Sequence, residues 1–126
     1  MRETIATWLG SFALDPVLRT HAVEVFTALP EPVRRDLMDD PAFVICDIAA
    51  GPDALAEVPV GLPQPGRGAR SVALKRTLIR RPAAFVRWVI AHELAHAHLR
   101  NEGREPGEDP ERAADALAAE WGYPRP

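Results

Sequence analysis

The chain has 126 residues and a mass of 13.8 kDa, which is the usual size of a single domain with one hydrophobic core. An apolar fraction of 47% and a charged fraction of 26% argue against disorder of the whole chain, and the single cysteine, Cys46, excludes an internal disulfide. A net charge of −3 gives no basic footprint for nucleic acid, so no nucleic-acid partner is expected.

Residues 1–40 are predicted to be helical. The i, i+3, i+4, i+7 spacing of an amphipathic helix is followed by Ile5, Trp8, Leu9 and Phe12. Asp15 followed by Pro16 is typical of an N-cap and a first helical turn, and a second apolar stripe runs from there to Pro30. A shorter third helix is predicted over residues 32–38.

Residues 42–79 are predicted to hold two strands and a loop. The segment AFVICDIAA, residues 42–50, is rich in β-branched residues and bounded by proline and glycine, which is typical of a strand. Cys46 is expected to be a small core residue within it. Residues 51–70 are dense in proline and glycine and indicate a loop. Residues 71–79 alternate between apolar and polar positions, which predicts a half-buried strand.

Residues 82–122 are predicted to form two helices. Pro82 suits a first turn, and no glycine or proline interrupts residues 83–99, whose apolar side chains cover much of the helix circumference. This helix of about 17 residues would span about 25 Å and should be the central, mostly buried one. Asp109 is a typical N-cap for a last helix, which Gly122 ends.

The central helix carries the pattern HELAH, in which His92 and His96 are four residues apart. This spacing places both on one face, so two imidazoles can reach one ion. A catalytic zinc takes three protein ligands and leaves a fourth position for water. Glu93, at the edge of the same face, is placed to act as general base toward that water. The alternative is a helix face that points its polar residues at solvent. On a buried helix, a glutamate and two histidines without partners would be costly to bury.

A third ligand must come from another segment, because no histidine or cysteine follows His98. The last helix offers Glu111 and Asp115, four residues apart on one face. We predict that Glu111 binds the ion and that Asp115 accepts the free ring N–H of a ligand histidine. Glu108 is an alternative third ligand, and the pair could instead be two ordinary surface acids. His98 lies about 200° around the helix from His96 and is not expected to bind.

HELAH followed by ERAADALAAEWG resembles the gluzincin class of zinc metallopeptidases. The short separation of the two motifs and the E-x-x-A-D-x-L-A-A form of the second are most similar to the compact bacterial ImmA/IrrE-like peptidases. The resemblance covers about residues 71–122, and the chain departs from the usual ImmA/IrrE-like pattern at Ala95 and at WGYP after the second helix. It implies that His92, His96 and Glu111 are the zinc ligands and that Glu93 is the general base. It also implies that Asp115 is the carboxylate that supports a ligand histidine.

The resemblance also implies a fold. We expect one α+β zincin-like domain over residues 1–126, with N-terminal helices, a short, mostly antiparallel sheet, a buried active-site helix and a C-terminal ligand helix. The strand over residues 72–79 is expected to lie along the cleft, where it could pair with an extended substrate. A peptidase needs a group that stabilises the oxyanion. Tyr123 is preferred for this role, and the alternatives are His21, Arg80, Arg81 and Arg112.

The sequence therefore predicts a zinc-dependent metallopeptidase that hydrolyses a peptide bond through zinc-bound water with Glu93 as general base. The alternative is a zinc-stabilised regulatory or protein-binding module that does not hydrolyse its partner. A peptide or protein substrate, with a regulatory protein as a further partner, is expected. No 18-residue apolar run is present, so no membrane association and a cytoplasmic location are expected.

Overall fold

The computed structural model describes residues 1–49, 70–99 and 110–126. Within them the chain forms five α-helices, one 3₁₀ helix and a sheet of two strands, so the fold is α+β as predicted. In chain order the elements are α1 (Arg2–Leu9), α2 (Pro16–Ala28), α3 (Glu31–Met38), β1 (Phe43–Ile48), β2 (Arg70–Lys75), the 3₁₀ helix (Arg76–Arg80), α4 (Ala83–Leu99) and α5 (Pro110–Glu120).

The three N-terminal helices form where the sequence predicts them. The carboxylate of Asp15 accepts a hydrogen bond of 2.8 Å from the backbone N–H of Val17, which caps the start of α2. The first helix ends at Leu9, earlier than the apolar spacing suggested, so Phe12 lies beyond it. Phe12 still belongs to the core, because its ring packs edge-on against Trp8 at 5.1 Å between centroids.

The two strands of the described part run parallel, with Phe43 opposite Arg70, whereas a mostly antiparallel sheet was expected. The alternation over residues 71–79 does not fix the direction, because successive side chains point to opposite faces in both kinds of ladder. Residues 49–69 separate the strands, and a parallel pair needs a connection of about a dozen residues or more. This separation was the signal that could have predicted the parallel arrangement.

The second strand is also shorter than predicted, because residues 76–80 form the 3₁₀ helix. In a continuous strand Arg76 would share the inward face with Val72 and Leu74, which are both buried. The change to a 3₁₀ turn moves Arg76 outward, where its Nε lies 2.6 Å from the carboxylate of Asp47. Leu78 still enters the core. A buried guanidinium is thereby avoided.

The long helix α4 lies at the centre of the molecule, as predicted. It packs against α2, α5 and β2, and its buried side chains extend over most of its length. On the facing side of α5, Ala114 and Ala118 are fully buried. Small side chains let the two helix backbones approach closely, so residues on α5 can reach the polar groups of α4.

A buried ion-pair network joins α3, β2 and α4. Arg70 is only 2% exposed, and its guanidinium lies 2.9 Å from Asp36 and 3.3 Å from Asp40. Asp36 also accepts a hydrogen bond of 2.7 Å from Nδ1 of His98. Burial alone would raise the pKa of Asp36, but the hydrogen bonds from Arg70 and His98 outweigh it and hold that pKa below its ordinary value.

We expect Asp36→Asn to lower the free energy of unfolding by roughly 2 kcal/mol at neutral pH, because it leaves the buried Arg70 with Asp40 as its remaining charged partner. Since the pKa of Asp36 is lowered on folding, its stabilising effect is present above the unfolded pKa of about 3.9 and is lost as the pH falls through the folded value. Urea unfolding at pH 7 and pH 3 measures both effects.

The matched control is Glu31→Gln, which removes the carboxylate of an exposed pair with Arg35 on the same helix. An exposed i, i+4 pair contributes about 0.3–0.5 kcal/mol, so this variant should unfold almost as the parent does. Equal losses in the two variants would contradict the importance of the buried network.

Candidate metal centre

Two histidines of α4 and one carboxylate of α5 converge on one point. Nε2 of His92 lies 2.8 Å from Glu111 and 3.1 Å from Nε2 of His96, and Nε2 of His96 lies 3.2 Å from Glu111. The histidines are 8% and 6% exposed, while Glu111 lies at the surface. Among the described residues, these three form a group whose ligand atoms could hold a metal ion.

The helical spacing and the packing of α4 set the directions of the two imidazoles. The rings of His92 and His96 meet edge to face at 4.6 Å between centroids, one turn apart. Trp88, one further turn toward the N-terminus, packs against His92 at 5.5 Å. The rings therefore have neighbours that restrict their rotation and keep both Nε2 atoms directed at the same point.

Asp115 determines which nitrogen of His92 is available. Its Oδ1 lies 2.8 Å from Nδ1 of His92, and an ionised carboxylate only accepts, so Nδ1 carries the proton and donates it. The neutral ring then presents a lone pair at Nε2. This is the arrangement in which a carboxylate fixes the tautomer of a metal-binding histidine.

The donor set fits a small divalent cation better than it fits a set of hydrogen bonds. Nε2 of each histidine contacts the other and one carboxylate oxygen of Glu111, which is Oε2 for His92 and Oε1 for His96. Because the ring proton of His92 is on Nδ1, its Nε2 has no proton to share with Oε2. Zinc binds such atoms at about 2.0–2.2 Å in a tetrahedral arrangement, which separates neighbouring ligand atoms by about 3.3 Å. The histidine Nε2 atoms lie 2.8 and 3.2 Å from the carboxylate oxygens of Glu111 and 3.1 Å from each other, which is close to this separation.

Glu93 follows the first histidine of the cluster and lines a cavity beside α4. Burial raises the pKa of its carboxyl above the ordinary value; His96 and His92 oppose that rise, and Glu111 adds to it. A raised pKa brings a carboxylate closer to the range in which it both accepts and returns a proton near neutral pH.

Tyr123, the preferred oxyanion-stabilising residue, is not brought to the cluster. Its hydroxyl lies 3.5 Å from the main-chain oxygen of Glu24 in α2, and it lines a cavity other than that of Glu93. The chain leaves α5 through a Schellman motif, in which Gly122 has φ of 98° and Tyr123 donates to the oxygen of Ala118. This turn directs the tyrosine toward α2.

The alternatives for the oxyanion role lie in several places. Nδ1 of His21 accepts a hydrogen bond of 3.1 Å from Arg87, and burial lowers its pKa, with the charge of Arg87 adding to this effect. Arg80 ends the 3₁₀ helix, and Arg112 lies at the surface of α5 beside Glu111. Of these four alternatives, Arg81 is the one that lines the same cavity as Glu93.

The remaining predictions concern two residues near the ligands in sequence. Nδ1 of His98 lies 2.7 Å from the carboxylate of Asp36, and the group of described residues that could hold a metal ion is formed by His92, His96 and Glu111. Glu108, the alternative third ligand, lies outside the described residues.

Sequence reasoning missed one layer of contacts around the site. Arg125 lies with its guanidinium 5.1 Å above the ring of Trp88 and 3.9 Å from the carboxylate of Asp115. Both of these neighbours contact His92. No periodicity links residue 125 to residues 88 and 115, so only the packing of α5 on α4 could reveal this arrangement.

We expect Asp115→Ala to weaken zinc binding by about 10–100-fold, because the ring of His92 would lose the acceptor that fixes its tautomer. Competition with a chromophoric chelator measures the Kd. The control is Glu120→Ala at the exposed end of the same helix, which should bind zinc as the parent does. An unchanged Kd in the Asp115 variant would mean that this carboxylate does not contribute to metal binding.

Comparisons of the chain with protein-family models, with curated proteins and with solved structures find no match in any of the three. No helix of the described ranges is long and apolar enough to cross a membrane.

Proposed function

We propose that the chain is a zinc-dependent metallopeptidase of the gluzincin type, similar to the ImmA/IrrE-like peptidases. The observation that carries this proposal is the convergence of His92, His96 and Glu111, with Glu93 next to the first ligand. Two buried imidazoles and a carboxylate leave room for a fourth ligand, which distinguishes catalytic from structural zinc sites.

A zinc ion held by these residues would lower the pKa of a water molecule and polarise a carbonyl group. Glu93 would take the proton of the attacking water and then donate it to the nitrogen of the departing peptide segment. Asp115 would keep Nδ1 of His92 protonated during these transfers. Burial of Glu93 supports its role, because a carboxyl with a raised pKa can return the proton it has taken.

The substrate is proposed to be an extended peptide segment. Among the described strands β2 pairs only with β1, and its second edge is the one to which a substrate would add. An extended chain laid along β2 would add a strand to the sheet. The cavity lined by residues of both β2 and Glu93 supports this direction of approach.

The proposal is tested by metal content and hydrolysis. Protein purified without chelator should contain about one zinc per chain, and the loaded protein should cleave members of a broad peptide library. Removal of zinc with a chelator should stop cleavage, and added zinc should restore it. A metal-loaded chain that cleaves no peptide would overturn the enzymatic assignment.

A zinc-stabilised binding module is the second candidate. It is favoured by the fact that the ligand atoms come from two packed helices, so an ion would hold α5 against α4. Glu93 argues against this candidate, because a structural ion has no use for a partly buried carboxylate that is not one of its ligands. Full zinc occupancy without hydrolysis of any peptide would favour it.

A further inference from the structure

A cavity of about 440 Å³ lies between β2, the 3₁₀ helix and the first half of α4. Its volume falls within the roughly 300–1,000 Å³ typical of ligand sites. Glu93 is one of its lining residues, so a group bound in the cavity could contact the proposed general base. The cavity is therefore placed to hold a side chain of the molecule on which Glu93 acts.

Most of the cavity wall is apolar. The apolar lining residues are Ala73, Leu74, Leu78, Phe85 and Val89. Leu74 and Leu78 are buried in the core and provide a fixed wall, while Phe85 and Val89 are partly exposed on α4. A concave apolar surface of this kind removes apolar side chains from water, so it favours such a side chain over a polar one.

Two cations line the same cavity. Lys75 and Arg81 are both exposed, and the guanidinium of Arg81 lies 4.2 Å above the ring of Phe85. No acidic side chain of the described residues forms an ion pair with either of them. Residues 70–92 contain six lysines and arginines and no aspartate or glutamate, although the whole chain has a net charge of −3. Lys75 and Arg81 are the two of these cations that line the cavity, and they make its wall positively charged.

From this combination we infer that the cavity selects peptide segments in which a bulky apolar residue is next to an acidic one. The apolar side chain enters the cavity, and the carboxylate beside it contacts Lys75 and Arg81. The inference rests on the proposed peptidase function and adds the chemical class of its substrate. A nucleic acid would also meet the two cations, but its phosphates would be repelled by the carboxylate of Glu93, which lines the same cavity.

The test measures binding to zinc-loaded Glu93→Gln, which should hold peptides without cleaving them. The probes are two fluorescein-labelled peptides, identical except that glutamates next to a central leucine are replaced by lysines in the second. Anisotropy should give a Kd about fivefold or more lower for the acidic peptide, as expected for charge pairs in a cleft. Lys75→Glu and Arg81→Glu should each remove most of this preference.

Two further variants separate the cavity from general charge. Arg35→Glu makes the same change of charge on α3 and should leave the preference intact. Ala73→Phe should fill part of the cavity and weaken binding of the leucine peptide, but not of a peptide with glycine at that position. Equal Kd values for the two charged probes, no binding of either, or an Arg35→Glu effect as large as that of Lys75→Glu would overturn the inference.

Cleavage by the parent chain is recorded separately. Equal cleavage of both peptides with equal Kd values would retain the peptidase and remove the selectivity. No cleavage with a preserved preference would remove the peptidase and retain the cavity as an acidic-peptide site. A duplex oligonucleotide that binds more tightly than either peptide, and loses affinity in Lys75→Glu, would reassign the charged wall to nucleic acid.

Discussion

Glu93→Gln is expected to slow peptide hydrolysis by about 10²–10⁴-fold, which is the usual contribution of a general base. The amide keeps the size of the side chain but cannot take a proton from the attacking water. Zinc content should stay at about one ion per chain, because the ligand atoms belong to His92, His96 and Glu111. Initial rates on a cleaved peptide, together with metal analysis of the same sample, measure both quantities.

The matched control for this variant is Glu120→Gln, the same substitution at an exposed position of α5. Its rate should equal that of the parent. If Glu93→Gln also hydrolyses peptides at the parental rate, another residue acts as the base. A loss of zinc from Glu93→Gln would instead mean that its carboxylate supports the ion directly.

His96→Ala is expected to remove most of the stability that zinc gives to the folded chain. An ion present at about 1,000 times its Kd stabilises a folded protein by about 4 kcal/mol, and the loss of one of three ligands raises the Kd enough to remove most of this gain. The measurement is the difference in Tm with and without zinc, determined for parent and variant at equal protein concentration.

His98→Ala is the control, because it removes a histidine from the same helix two residues away. This histidine contacts Asp36, so its loss should lower stability in the absence of zinc but leave the zinc-dependent rise in Tm intact. A full zinc-dependent rise in His96→Ala would show that the ion binds elsewhere. A lost rise in His98→Ala would place that histidine among the ligands.

The cluster was predictable because helical spacing encodes each half of it. His92 and His96 are four residues apart on a helix that apolar residues bury, and Glu111 and Asp115 are four apart on the next. The structure brings His92, His96 and Glu111 together and places Asp115 at Nδ1 of His92. The two pairs could be assigned to one site because two imidazoles need a further ligand to complete a metal site.

Other features depend on interactions between segments that no local pattern records. The sequence predicted that β1 and β2 are strands, but their direction follows from the chain path between them. Strand β2 ends at Lys75, and Arg76 is thereby kept out of the core. The alternation over residues 71–79 does not take into account the free-energy cost of burying that guanidinium. The position of Tyr123 was set by the turn at Gly122, and sequence adjacency to the ligand helix was a poor guide to it.

The distribution of the ligand atoms over α4 and α5 has a consequence for the entropy of the chain. An ion bound by both His96 and Glu111 would close the segment between them into a loop. If the ion stays bound when the chain unfolds, this closure lowers the conformational entropy of the unfolded chain. The entropy of closing a loop grows only with the logarithm of its length, by about 0.6 kcal/mol for each doubling. Binding of an ion by these residues would therefore constrain the length of the segment between the two motifs only weakly.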